Sequence, residues 1–74
     1  MTQKTLLTIS KEELEAIVEK YKGDAFRAVV EQIEAHLLSM TLIQTRGNQT
    51  LTAEVLGLNR GTLRKKLKNH GMLN

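Results

Sequence analysis

Apolar positions recur at helical spacing through most of the 74-residue chain. The first such run is "ISKEELEAIVEKYKG". Leu14, Ile17, Val18 and Tyr21 share one side, as residues three and four apart on a helix do. Ser10 with Glu13 three residues on has the form of a capping box, and Ile9 and Leu14 flank it as a hydrophobic staple. Glu12, Glu13 and Glu15 lead the segment and Lys20 and Lys22 end it, which complements the helix dipole. With Gly23 as terminator, the pattern predicts a helix over about residues 11 to 22. Residues 1 to 8 carry no comparable signal and are expected to be frayed.

A second, longer helix is predicted after Asp24, a suitable N-cap, running to about Arg46. Phe26, Val29, Val30, Ile33, Leu37 and Met40 fall on one face. Leu38, Leu42 and Ile43 carry apolar surface round to the others. A helix apolar nearly all round has to be covered on all sides. A chain this short has little with which to cover it. The expected solution is a second copy, giving a homodimer built around this element.

Two short helices follow. Asn48 caps one over about 49 to 56, ended by Gly57; Asn59 caps the next over about 60 to 69, ended near Gly71. Leu51, Val55, Leu56 and Leu58 are expected to face inward from the first helix and the turn, and Leu63 and Leu67 from the second. The tight connection Gly57-Leu58-Asn59 makes the pair a helix-turn-helix. Counting Gln49 as position one, Ala53, Gly57 and Leu63 fall at five, nine and fifteen. These are the small residue at the crossing, the turn residue that tolerates positive φ, and the core anchor. The predicted fold is therefore all-α: a four-helix homodimer with long central helices and a C-terminal helix-turn-helix. It forms one domain over 1–74, with dimerisation helices in 1–46 and the helix-turn-helix in 47–74.

Charge changes this picture from a fold to a function. Residues 1 to 45 hold five bases and seven acids; residues 46 to 74 hold six bases and one acid, Glu54. A basic field confined to one end suggests a polyanion as partner. With Leu63 and Leu67 anchoring the last helix, Thr62, Lys65, Lys66 and Asn69 are expected on the opposite side, with Arg60 and Arg64 at its rim. Such a helix fits the major groove of double-stranded DNA. Asn59, Arg60, Thr62 and Arg64, near its start, are the candidates for base edges. Lys65, Lys66 and Lys68 are expected to meet phosphates. Asn48, Gln49 and Thr50 open the preceding helix, where side chains and free N–H groups suit one further phosphate. Gly61 inside this helix costs about 1 kcal/mol relative to alanine; the reading favoured is close approach of its backbone to DNA.

Little else offers chemistry. There is no cysteine and no proline, and the two histidines, His36 and His70, are far apart. No cofactor, metal or catalytic group is expected. Met40 reads as core filler and Ser10 as a cap rather than a nucleophile. Gly47-Asn48-Gln49-Thr50 lacks the lysine and second glycine of a phosphate-binding loop. The most apolar run, "HLLSMTLI", is too short to cross a bilayer, so no membrane partner is expected and the protein is placed in the cytoplasm.

"TRGNQT" (Thr45 to Thr50) and "NRGTLRKKLKNHGM" (Asn59 to Met72) together resemble the C-terminal region of the Fis family (factor for inversion stimulation). The resemblance is strong over about residues 37 to 72 and weak before Val29. It implies a nucleoid-associated homodimer with intertwined long helices, which binds degenerate, roughly palindromic sites and bends the DNA. Matched residue by residue, it implies DNA contact at Asn48, Thr50, Asn59, Arg60, Thr62, Arg64, Lys65 and Lys68. Asn69 stands where the family often has a lysine. His36 stands where it usually has a proline, so a straighter long helix is expected. Only about nine residues precede the first helix, where the best-known members have a longer arm that contacts a DNA invertase; recombinase stimulation is not carried over. Contact with RNA polymerase or a recombinase is left open by the sequence.

Two other readings compete. A dimerising adaptor with a basic tail would need the charge but not the residue types at 59, 60, 62 and 64. The DNA-binding tail of a sigma-54 enhancer-binding activator shares the helix-turn-helix but is joined to an ATPase module; a chain starting at Met1 is expected to be free-standing instead.

Overall fold

A computed structural model describes residues 8 to 73. These form α1 (Lys11–Lys20), α2 (Ala25–Gln44), α3 (Gln49–Leu56) and α4 (Arg60–Asn69). The described residues contain helices and turns and no strand. The expected fraying of residues 1 to 8 falls almost wholly outside the described residues. Two compact units meet at Val30 and Glu31, inside α2.

The first unit is formed by α1 and the opening of α2. Ser10 Oγ accepts the Glu13 N–H at 3.0 Å, as the capping pattern requires. The helix ends at Tyr21, and Gly23 takes the left-handed turn with φ +94°. No residue of α1 is buried: Leu14, Val18 and Tyr21 are exposed and Ile17 only half-buried. Phe26 is 84 % exposed. The amphipathic stripe exists, but no other described residue buries it.

The second unit holds the core. Leu38 from α2, Ala53 from α3, and Leu63 and Leu67 from α4 are buried together, with Leu42, Leu56, Leu58, Met72 and Leu73 packed round them. The α2 helix runs unbroken past His36. It closes at Arg46, φ +55°, and Gly47, φ +81°. The Gly47 N–H reaches back to the Leu42 carbonyl at 2.8 Å, closing the last turn. Sequence punctuation pointed to Gly47 alone; the residue that first turns left-handed is Arg46, at a cost of about 1 kcal/mol for a side chain with a Cβ.

The α3 helix sits in a different rotation from the one its apolar residues suggested. Leu51 and Val55 are exposed, while Thr52 and Ala53 are buried. Thr52 is buried at no polar loss. Its hydroxyl donates to the Asn48 carbonyl at 2.8 Å and lies 2.6 Å from the Thr45 hydroxyl at the end of α2. A fully bonded hydroxyl avoids the penalty of burying an unpaired one, so threonine can serve where leucine was expected. Gly57 then ends α3 at φ +74°, with the Leu58 N–H bonded to the Ala53 carbonyl at 2.9 Å. Two further residues bring the chain to α4.

Candidate nucleic-acid interface

The α3–turn–α4 unit is built so that the two caps keep a donor free. Asn48 Oδ1 accepts the Leu51 N–H at 3.0 Å, and Asn59 Oδ1 accepts the Thr62 N–H at 2.7 Å. Each oxygen satisfies a helix N-terminus. Each amide still has its NH₂ group, and both residues are exposed.

Leu63 and Leu67 are fully buried and set the phase of α4. At about 100° per residue, Lys65 then lies opposite them, with Gly61, Lys68 and Asn69 on the same outer side; all are exposed. Arg60 and Arg64 are exposed at the near margin, and Thr62 is half-buried. Among the described residues, Arg60, Lys65 and Lys68 have no hydrogen-bond or ion-pair partner. Arg60 is the first residue of α4, where the dipole disfavours a cation. A Cβ added at Gly61 would meet only Asn59 Oδ1, at 3.5 Å, which is ordinary contact. The protein itself therefore has room for alanine there.

Arg64 joins the two helices. Its guanidinium donates to Gln49 Oε1 at 2.8 Å, bringing the last helix against the first turn of α3, beside Asn48 and Thr50. Thr50 is exposed.

Lys66 does not share the outer side on which the charge pattern placed it. It follows Leu63 by three residues and precedes Leu67, so it falls at the margin of the inward face. Its ammonium lies 2.9 Å from Glu34 Oε2 on α2. His70, three residues into the next turn's margin, places Nε2 2.9 Å from Glu34 Oε1. Both carboxylate oxygens are thus engaged. The Lys66 ammonium first, and the His70 imidazole after it, hold the Glu34 carboxyl below the ordinary glutamate range. Sequence reasoning placed neither Glu34 nor the inward turn of His70. The three residues are 32 and 36 positions apart, and no local pattern marks such a pairing.

No group of three or more histidine, cysteine, aspartate or glutamate side chains able to hold a metal occurs among the described residues. No helix among them is long and apolar enough to cross a membrane.

A three-residue turn between two short helices, the second anchored by buried leucines and exposing unpartnered arginine and lysine, defines a helix-turn-helix protein. The chain belongs to the Fis family: the profile described as "Bacterial regulatory protein, Fis family" matches residues 29–70. It is similar to proteins named "DNA-binding protein Fis" from Proteus mirabilis, Aliivibrio fischeri and Escherichia coli. Each is 43 % identical over 76 aligned residues, which take in 97 % of this chain and 78 % of the relative.

Proposed function

We propose that this protein binds double-stranded DNA as a homodimer, with α4 of each copy in the major groove. The observation that carries the reading is the outer side of α4. Lys65 and Lys68 stand there, and Arg60 at its margin, with no hydrogen-bond or ion-pair partner among the described residues, and Arg60 occupies a position where it opposes the helix dipole. Family membership supports the same reading. Asn59, Arg60, Thr62 and Arg64 are the base-edge candidates. Arginine can pair bidentately with guanine, asparagine can offer its free NH₂, and the threonine methyl can touch thymine. Lys65 and Lys68 are assigned to phosphates, with Asn48 and Thr50 holding one more at the start of α3.

The dimer reading rests on uncovered apolar surface. In α2, Phe26, Val30, Ile33, Leu37, Met40 and Ile43 are exposed; a single soluble chain rarely leaves that much apolar area in water. A core of four buried apolar residues is also small for independent stability. Residues 1–46 would supply the dimer and 47–74 the DNA contacts. Few side chains per copy reach bases, so sequence preference is modest and bendable steps add to it. The protein bends its DNA and acts in the bacterial cytoplasm as a nucleoid-associated protein or transcription regulator, not as an enzyme.

The test is binding of the full chain to a labelled mixed-sequence duplex over a range of salt. The logarithm of affinity should fall linearly with the logarithm of salt, by about 0.9 per phosphate contact. Lys65→Ala should flatten that slope by roughly one contact per copy. A chain whose retention of duplex is indifferent to salt, or unchanged by Arg60→Ala, is not a DNA-binding protein of this kind.

A further inference from the structure

The Glu34 carboxylate sits where α2 meets α4, and both of its oxygens are used. Lys66 Nζ and His70 Nε2 each lie 2.9 Å away. The side chains of Glu34, Lys66 and His70 are 27 %, 34 % and 14 % exposed, far less than the surface pairs Lys11–Glu15 and Arg27–Asp24 of this chain. Glu34 and Lys66 also line a groove of about 180 Å³ with Leu37, Leu38, Leu56 and Leu58. Apolar walls reduce solvent screening, so a bridge here holds better than one in open water.

The placement along α4 matters as much as the strength. Leu63 and Leu67 set which side of the helix faces in, but apolar contact is not directional and by itself tolerates small rolls about the helix axis. Lys66 and His70 sit on one flank of that leucine pair and are fixed to a single carboxylate. Two bonds of about the same length from successive turns prevent the roll. The Arg64–Gln49 bond holds the other flank.

We propose that Glu34 is a positioning residue for DNA binding. It fixes the rotation of α4 through Lys66 and His70, and it withdraws Lys66 from the set of phosphate contacts. This rests on the DNA-binding reading above and extends it. The consequence is that Lys66 contributes to affinity through orientation, whereas Lys65 and Lys68 contribute through charge.

The salt slope separates the two roles, since a contact that releases no counterion leaves it unchanged. Measured on the full chain with a labelled mixed-sequence duplex, Lys66→Ala should weaken binding on the order of tenfold with the wild-type slope. Lys65→Ala should lower the slope by about 0.9 for each copy that loses a contact. Glu34→Ala should weaken binding as Lys66→Ala does, and the double variant should be no worse than either single one. The charge-swapped pair, Glu34→Lys with Lys66→Glu, is assayed alongside. It should recover most of the affinity that Lys66→Glu alone loses. Circular dichroism at the assay temperature establishes that each variant is folded; should Glu34→Ala unfold, the swap and Lys66→Ala still decide. The proposal is overturned if Lys66→Ala flattens the slope as Lys65→Ala does, or if the swap binds no better than Lys66→Glu. Wild-type binding with an intact response to Arg60→Ala alongside either result would leave the DNA reading standing and remove only the role of Glu34.

Discussion

Arg60 opens α4 with its side chain in solvent and no described partner. A cation in the first turn faces the positive end of the helix dipole, an arrangement worth about 0.3–1 kcal/mol against the fold at low salt. The neighbouring Asn59 cap is unaffected by its removal, since the bond runs from the Thr62 N–H to Asn59 Oδ1. Alanine is also at least as good a helix former as arginine. Arg60→Ala should therefore stabilise the protein by about 0.3–1 kcal/mol, a rise in Tm of roughly 1–8 °C for a domain of this size. On DNA the same change should remove about 1–3 kcal/mol per copy if the guanidinium pairs with a base edge, or roughly 2–6 kcal/mol for a dimer on two half-sites. The assays are a thermal melt by circular dichroism in low-salt buffer and fluorescence anisotropy with a duplex selected from a random pool. Opposite signs in the two measurements are the expected result. A lower Tm would refute the dipole argument, and unchanged affinity for the selected duplex would refute the base contact.

Other substitutions test separate parts of the fold. Gly61→Ala meets no steric obstacle in the protein and should raise stability by up to about 1 kcal/mol; if DNA approaches that backbone closely, anisotropy will show weaker binding by the more stable variant. Gly57→Ala, at φ +74°, should cost about 1–2 kcal/mol and lower the melting temperature. Leu37→Asp, on the exposed face of α2, should shift the protein to monomer in analytical ultracentrifugation and lower its stability. The Glu34 carboxyl is held below its ordinary value of 4.5 in the folded state, so its stabilising effect is full above that pH and disappears as pH falls through the lowered value. Acid titrations of wild type and Glu34→Gln, followed by circular dichroism, should converge at the acid end and separate toward neutral pH.

The four helices, and the starts of α1, α3 and α4, were legible because their signals are local. Ser10, Asn48 and Asn59 each cap the helix they precede, and Gly57 takes the left-handed turn that the spacing required. The rotation of α3 was not legible. Apolarity pointed to Leu51 and Val55, whereas the Thr45–Thr52 hydroxyl pair puts Thr52 inside. A threonine with both of its bonds made in the core looks the same in sequence as one in water. Lys66 was misplaced for a similar reason: it belongs to a run of four bases within five residues, and only its distant partner Glu34 distinguishes it from Lys65. The outer residues of α4 follow from the phase that Leu63 and Leu67 set, which one helical period suffices to find.

The Thr45–Thr52 pair has a consequence for the scale of whatever the protein grips. It welds α3 to the last turn of α2, so the reading head cannot swivel independently of the rod that carries it. The number of residues in α2 then acts as a ruler. Inserting one residue ahead of Leu38 would advance the head by about 1.5 Å and rotate it by about 100° relative to Glu34, carrying Lys66 and His70 away from the carboxylate that holds them.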